Sequence, residues 1–133
     1  MIEDAELMLI QLPTGVSLQV QLESPAESSS VSETKLAILL HPWSWLGGNM
    51  RDPVLHSLVI PLLQANYHVL RYNSRGVGGS SGWRIRDLTG LSEASDLQAL
   101  IQWGIEHISS VTSVVVIVST NTVDLVTLID LSG

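Results

Sequence analysis

Residues 114–118 read Val-Val-Val-Ile-Val. Five β-branched side chains in a row are stiff at χ1, fit a pleated strand better than a helix, and need apolar cover on both faces. A buried strand of a parallel sheet receives such cover. Two further apolar runs, 35–40 and 68–72, precede it, each separated from the next by enough chain for a helix. Asp52-Pro53 opens the first of these helices, because aspartate caps free amides and proline suits the first turn. That helix runs toward Ala65, with Asn66 as a left-handed end and a bend expected at Pro61. Ser92 is the expected cap of the second. Its Leu97, Leu100, Ile101, Ile105 and Ile108 fall on one helical face. Ahead of all this, segments 6–12 and 16–22 form a hairpin through Pro13-Thr14-Gly15.

The expected fold is therefore α/β: a β-hairpin, then βαβαβ, with a mostly parallel sheet between two helical layers. Residues 1–118 make up this unit. Segment 23–34, rich in Ser, Glu and Pro, reads as a surface loop within it. Residues 119–133 form a divergent tail. Its apolar run 123–131 follows neither the strand nor the helix period, so whether it adds a strand or a helix beside 114–118 is left open, and without either the far edge of that strand would lie bare.

Composition limits the function classes. The chain has 133 residues, 45% hydrophobic and 14% charged, which supplies a core for one domain. A net charge of -7 argues against nucleic-acid or anionic-membrane partners, which call for basic patches. The absence of cysteine removes disulfides, thiolate catalysis and cysteine-based metal sites. His41, His56, His68 and His107 show no ligand spacing, so no metal is expected. The first residues are acidic where a signal peptide is positive, and no apolar run approaches the roughly 20 residues of a membrane span. A cytoplasmic location is the expectation.

Two loops carry the chemistry. His41-Pro42-Trp43-Ser44-Trp45-Leu46-Gly47-Gly48 follows the first buried strand, and Ser74-Arg75-Gly76-Val77-Gly78-Gly79-Ser80 follows the second. In these loops and in element order, the region from about 35 to 118 resembles the N-terminal half of the α/β-hydrolase family. The first loop is similar to that family's oxyanion loop and the second to its Arg-Gly-x-Gly-x-Ser turn. The resemblance implies serine-hydrolase descent. Complete relatives hydrolyse esters, thioesters or amides of small acyl substrates through a Ser-His-Asp triad, with no cofactor. Pro42 has no amide proton, so the backbone N–H of Trp43 is the candidate oxyanion donor, with His41, Pro42, Gly47 and Gly48 shaping its loop. Arg75 is expected to tie its loop to nearby backbone, and Gly76 and Gly78 to form turns.

The family's nucleophile sits in a strained G-x-S-x-G elbow after the third buried strand. Here the five positions hold Ser119, Thr120, Asn121, Thr122 and Val123, with neither glycine. Ser119 reads as a strand-end residue, and Asp124 and Asp130 complete no triad. The chain thus departs from the family pattern near Val118, as a truncated gene, a retained intron or a shifted frame would make it. No triad catalysis is expected from it. The alternatives are a non-catalytic binding or interaction module and, more remotely, nucleotide binding through the 76–82 loop. The latter has two glycines of G-x-G-x-x-G, but Ser81 takes the place of the third and the next helix starts well beyond.

Overall fold

The computed structural model describes residues 4–26, 33–41, 48–82, 91–119 and 123–130. The chain opens with a hairpin of β1 (Asp4–Gln11) and β2 (Ser17–Ser24), paired in unbroken register from Asp4↔Ser24 to Gln11↔Ser17. Gly15, at φ 97°, takes the left-handed conformation that the turn requires, and the Leu12 amide closes the turn on the Val16 carbonyl at 2.8 Å. Leu18, Val20 and Leu22 are buried on one face of β2, while Gln19 and Gln21 are only half-buried on the other.

β3 (Thr34–Leu40) buries four consecutive residues, 36–39, because both of its faces are covered. It leads to α1 (Pro53–Gln64), whose Asp52 cap accepts the Val54 and Leu55 amides at 3.0 and 3.1 Å. The helix continues through Pro61 to Gln64, and Asn66 follows at φ 67°. β4 (Tyr67–Tyr72), α2 (Leu91–His107) and β5 (Val111–Ser119) come next. α2 begins at Leu91, so Ser92 lies inside the helix and is not its cap. Leu100 and Ile108 are buried, and Leu97, Ile101 and Ile105 pack beside them. Gly104 lets α2 approach the sheet, since a Cβ there would stand 2.6 Å from Leu36 Cδ2.

All six strands form one sheet in the order β1-β2-β4-β3-β5-β6. The parallel pairings lie at its centre, β4–β3–β5, and antiparallel ones flank them, so the sheet is mixed. Leu55 and Val59 of α1 cover one face with Ala37, Leu39, Val69, Val115 and Ile117. On the other face α2 covers Leu36, Ile38, Leu70, Val114 and Val116. This is the three-layer arrangement that the apolar pattern predicts.

Two further expectations are revised. The tail is a strand, β6 (Val123–Asp130), antiparallel to β5 from Ser113↔Asp130 to Ser119↔Val123, so the far edge of β5 is paired and not bare. Nor does the surface loop begin at residue 23. β2 extends to Ser24, and Glu23 is fully buried, 2.6 Å from Arg71 Nη2. Residues 27–32 of that loop lie outside the described residues.

Candidate functional site

Leaving β3, the chain passes one way to β4, and leaving β4 it crosses back to β5, so the strand order reverses between β3 and β5. Crevices at the carboxyl ends of strands beside such a reversal are where open α/β sheets bind ligands. His41, Ser74, Ser119 and the α1 cap Asp52 all stand at this end of the sheet.

His41 is buried, and its Nε2 accepts the Ser74 amide at 3.0 Å. The ring thereby ties the loop after β3 to the loop after β4. Gly48 begins the next described stretch and is half-buried. Pro42, Trp43 and Gly47 lie outside the described residues, as do 120–122.

Ser119 ends β5 and is 1% exposed. Its hydroxyl donates to Asp52 Oδ2 at 3.2 Å, the same oxygen that caps α1. This contact joins the end of β5 to the start of α1. It makes Ser119 a structural hydroxyl, bonded to a helix-capping carboxylate and not to a histidine.

The loop after β4 is held by a network that sequence reasoning missed. Asn73 Nδ2 donates to Gln19 Oε1 and Asn73 Oδ1 accepts the Met50 amide, each at 2.8 Å. The Ser80 hydroxyl donates to the Asn73 carbonyl at 2.6 Å and accepts the Gln19 amide at 2.8 Å. Ser17 and Ser81 exchange two further bonds. Asn73 and Ser80 flank the glycines and carry a local signal. Gln19 lies about 60 residues earlier on another strand and carries none.

Gly76 and Gly78 stand at φ 73° and 54°, as turn glycines should. At Gly78 a Cβ would lie 2.5 Å from Asn73 Nδ2. The amides of Gly76, Val77, Gly79, Ser80 and Ser81 all donate to protein acceptors. A phosphate cradle needs free amides, so this loop is poorly suited to a nucleotide.

Arg75 ties its loop to a side chain of α2. Its Nε and Nη2 bond Asp96 of α2 at 2.6 and 2.9 Å, and Thr14 Oγ1 adds a third bond to that carboxylate. Asp96 is 3% exposed, and a planar guanidinium satisfies both of its oxygens at once. The Ser74 hydroxyl donates to Glu93 on the same helix at 3.1 Å. Beneath them the Tyr72 hydroxyl is buried with no partner among the described residues. Burial, reinforced by the charges of Glu93 and Asp96, pushes its ionisation well above the usual phenol range.

Among the described residues no three His, Cys, Asp or Glu side chains are placed to hold a metal, and no helix is long and apolar enough to cross a membrane.

No family model matches the chain. It is similar to solved structures of an α/β serine hydrolase homologue from Coxiella burnetii (30% identity, TM-score 0.72) and a serine hydrolase without a lid from Xanthomonas campestris (28%, 0.71). These alignments cover 89% and 86% of this chain, and 53% and 50% of the other chains. An uncharacterised protein of Rickettsia prowazekii is 32% identical over 83 residues, 62% of this chain and 34% of its own length. The chain thus spans about half the length of these solved structures and a third of that curated relative.

Proposed function

We propose that this chain, which carries the N-terminal half of the α/β-hydrolase fold, is a member of that lineage that performs no acyl transfer by itself. One observation carries the reading. β5 ends at Ser119 and β6 begins at Val123, antiparallel to it. The next strand is thus antiparallel to β5 at the place where a nucleophile elbow would turn from strand into helix. An antiparallel strand in that position replaces the helix that would follow an elbow, and without the elbow no serine is lifted from the sheet. Ser119, the nearest hydroxyl, is bonded to a carboxylate already engaged in capping a helix. His41 accepts an amide proton from the neighbouring loop, so it offers no free base to that hydroxyl.

A second reading draws on what persists. The His41–Ser74 bond holds the two cleft loops together in the absence of a nucleophile. Such a frame suits non-covalent binding of a small carbonyl or acyl compound.

The test combines p-nitrophenyl acetate turnover, intact mass after fluorophosphonate treatment, and thermal stability with added acyl ligands. No turnover and no adduct are expected. A phosphonate adduct on Ser119 or on any other hydroxyl would overturn the non-catalytic assignment. A rise in melting temperature with an acyl ligand, without turnover, supports the binder.

A further inference from the structure

The outer strands of the sheet are β1 and β6. Three large hydrophobic side chains are prominently exposed among the described residues, and two of them are on β1: Leu7 at 56% and Leu9 at 64%. Two positions apart, they share one face of the strand, beside Gln21 and Gln19 of β2. The other face is different: Ile10 is buried and Met8 packs against the core.

The backbone of β1 adds a second feature. The Leu12 amide points to β2, where it meets the Val16 carbonyl. Amides alternate in an antiparallel ladder, so those of residues 6, 8 and 10 also point to β2, and those of Leu7, Leu9 and Gln11 point out to the edge. The two exposed leucines therefore lie where the edge offers backbone donors and acceptors to an incoming strand. β1 is regular along its whole length. β6, by contrast, carries an irregularity opposite Val118/Ser119 and acidic residues at 124 and 130, both devices that protect an edge.

We propose that β1 is a self-association strand: two copies of this chain pair antiparallel through β1 and join their six-stranded sheets edge to edge. A twofold axis perpendicular to the sheet keeps each face on its own side, so only residues of equal parity can oppose one another. With the axis at Met8, Leu7 of each copy stands opposite Leu9 of the other, and Glu6 stands opposite Ile10. Four exposed leucines close on one another and no two carboxylates meet. Moving the axis to Leu7 sets Leu9 opposite Ala5, and moving it to Leu9 sets Leu7 opposite Gln11, so each opposes only one pair of leucines. The strand is self-complementary in one register, and this selects a second copy over an unrelated partner.

The chain contains no cysteine, so a single introduced thiol reads the register directly. At the axis, opposed Met8 positions lie about 4.5 Å apart at Cα, within disulfide reach. Residue 11 of each copy sits roughly 20 Å from its counterpart, at about 3.4 Å per residue. Mild oxidation of Met8→Cys is expected to give a covalent dimer and Gln11→Cys none. Sedimentation velocity of the unaltered chain should show a monomer–dimer equilibrium that shifts to dimer with salt, since each copy carries a net charge of -7. Leu7→Lys/Leu9→Lys and Leu7→Glu/Leu9→Glu should each be monomeric with unchanged circular dichroism, and should form a heterodimer when mixed. A monomer at all concentrations, equal cross-linking of Gln11→Cys, or a dimer that survives the double lysine substitution would each overturn the proposal.

Discussion

Arg71 Nη2 sits 2.6 Å from Glu23 Oε1, with 5% and 0% of the two side chains exposed. The pair is diagonal across the ladder, since Gln21 stands opposite Arg71 and Glu23 opposite Val69. Glu23 Oε2 and Arg71 Nε have no partner among the described residues, so the pair is desolvated but not fully satisfied there. Removing two charges from water costs several kcal/mol, and one short contact with two orphaned atoms repays it poorly. Removing one member leaves a bare buried charge. Glu23→Leu is therefore expected to destabilise the fold by about 3–5 kcal/mol, and Glu23→Leu/Arg71→Met to restore or exceed the original stability. Urea denaturation of the three proteins decides this. A double variant no more stable than the single one would mean that the ion pair itself holds β2 to β4. The interaction also explains why the start of segment 23–34 misleads as sequence. Glu23 opens a polar, proline-containing stretch, and its partner is 48 residues away.

Elements were legible where local chemistry decides them. Asp52, Pro53 and Asn66 delimit α1 as their propensities require, and the stripe from Leu97 to Ile108 marks the buried face of α2. Strands buried on both faces announced themselves by unbroken apolar runs. Tertiary pairing decided the rest. β6 has no clear period because its apolar run gains its structure from β5 alongside it, and no local signal encodes that. The site divided in the same way: the glycine turn was readable from its own residues, whereas Gln19 and Asp96, which hold it, come from other elements. Asp52 belongs to both classes. As a cap it is visible in the sequence, yet its Oδ2 also receives Ser119. Asp52→Ala should cost about 1–2 kcal/mol, the cap contribution plus an orphaned buried hydroxyl. Asp52→Asn, which keeps an acceptor oxygen, should recover most of that. Thermal denaturation of both variants, of Ser119→Ala and of Asp52→Ala/Ser119→Ala tests the coupling. If the two sites are bonded, removing Ser119 in addition to Asp52 costs less than removing it alone.

At the scale of the whole molecule, β6 determines how the sheet ends. β5 is β-branched along its buried centre and uncharged throughout, and Val114 through Ile117 are buried. Such a strand at an edge recruits other chains, because its unpaired backbone groups and apolar faces can be satisfied together only by another strand. β6 meets that need within the chain, pairing β5 from Ser113 to Ser119. The pairing of β6 with β5 therefore has a structural role of its own. Ending the chain at Ser119 tests that role, because it leaves β5 as the outer strand. The shortened chain is expected to form large soluble or insoluble aggregates at concentrations where the full chain remains monomeric or dimeric, as read by static light scattering. A discrete dimer built on β1 differs from this in size and is abolished by the leucine-to-lysine substitutions, which should leave aggregation through β5 intact. If the shortened chain stays soluble and melts cooperatively, β6 is dispensable and the sheet is complete at β5.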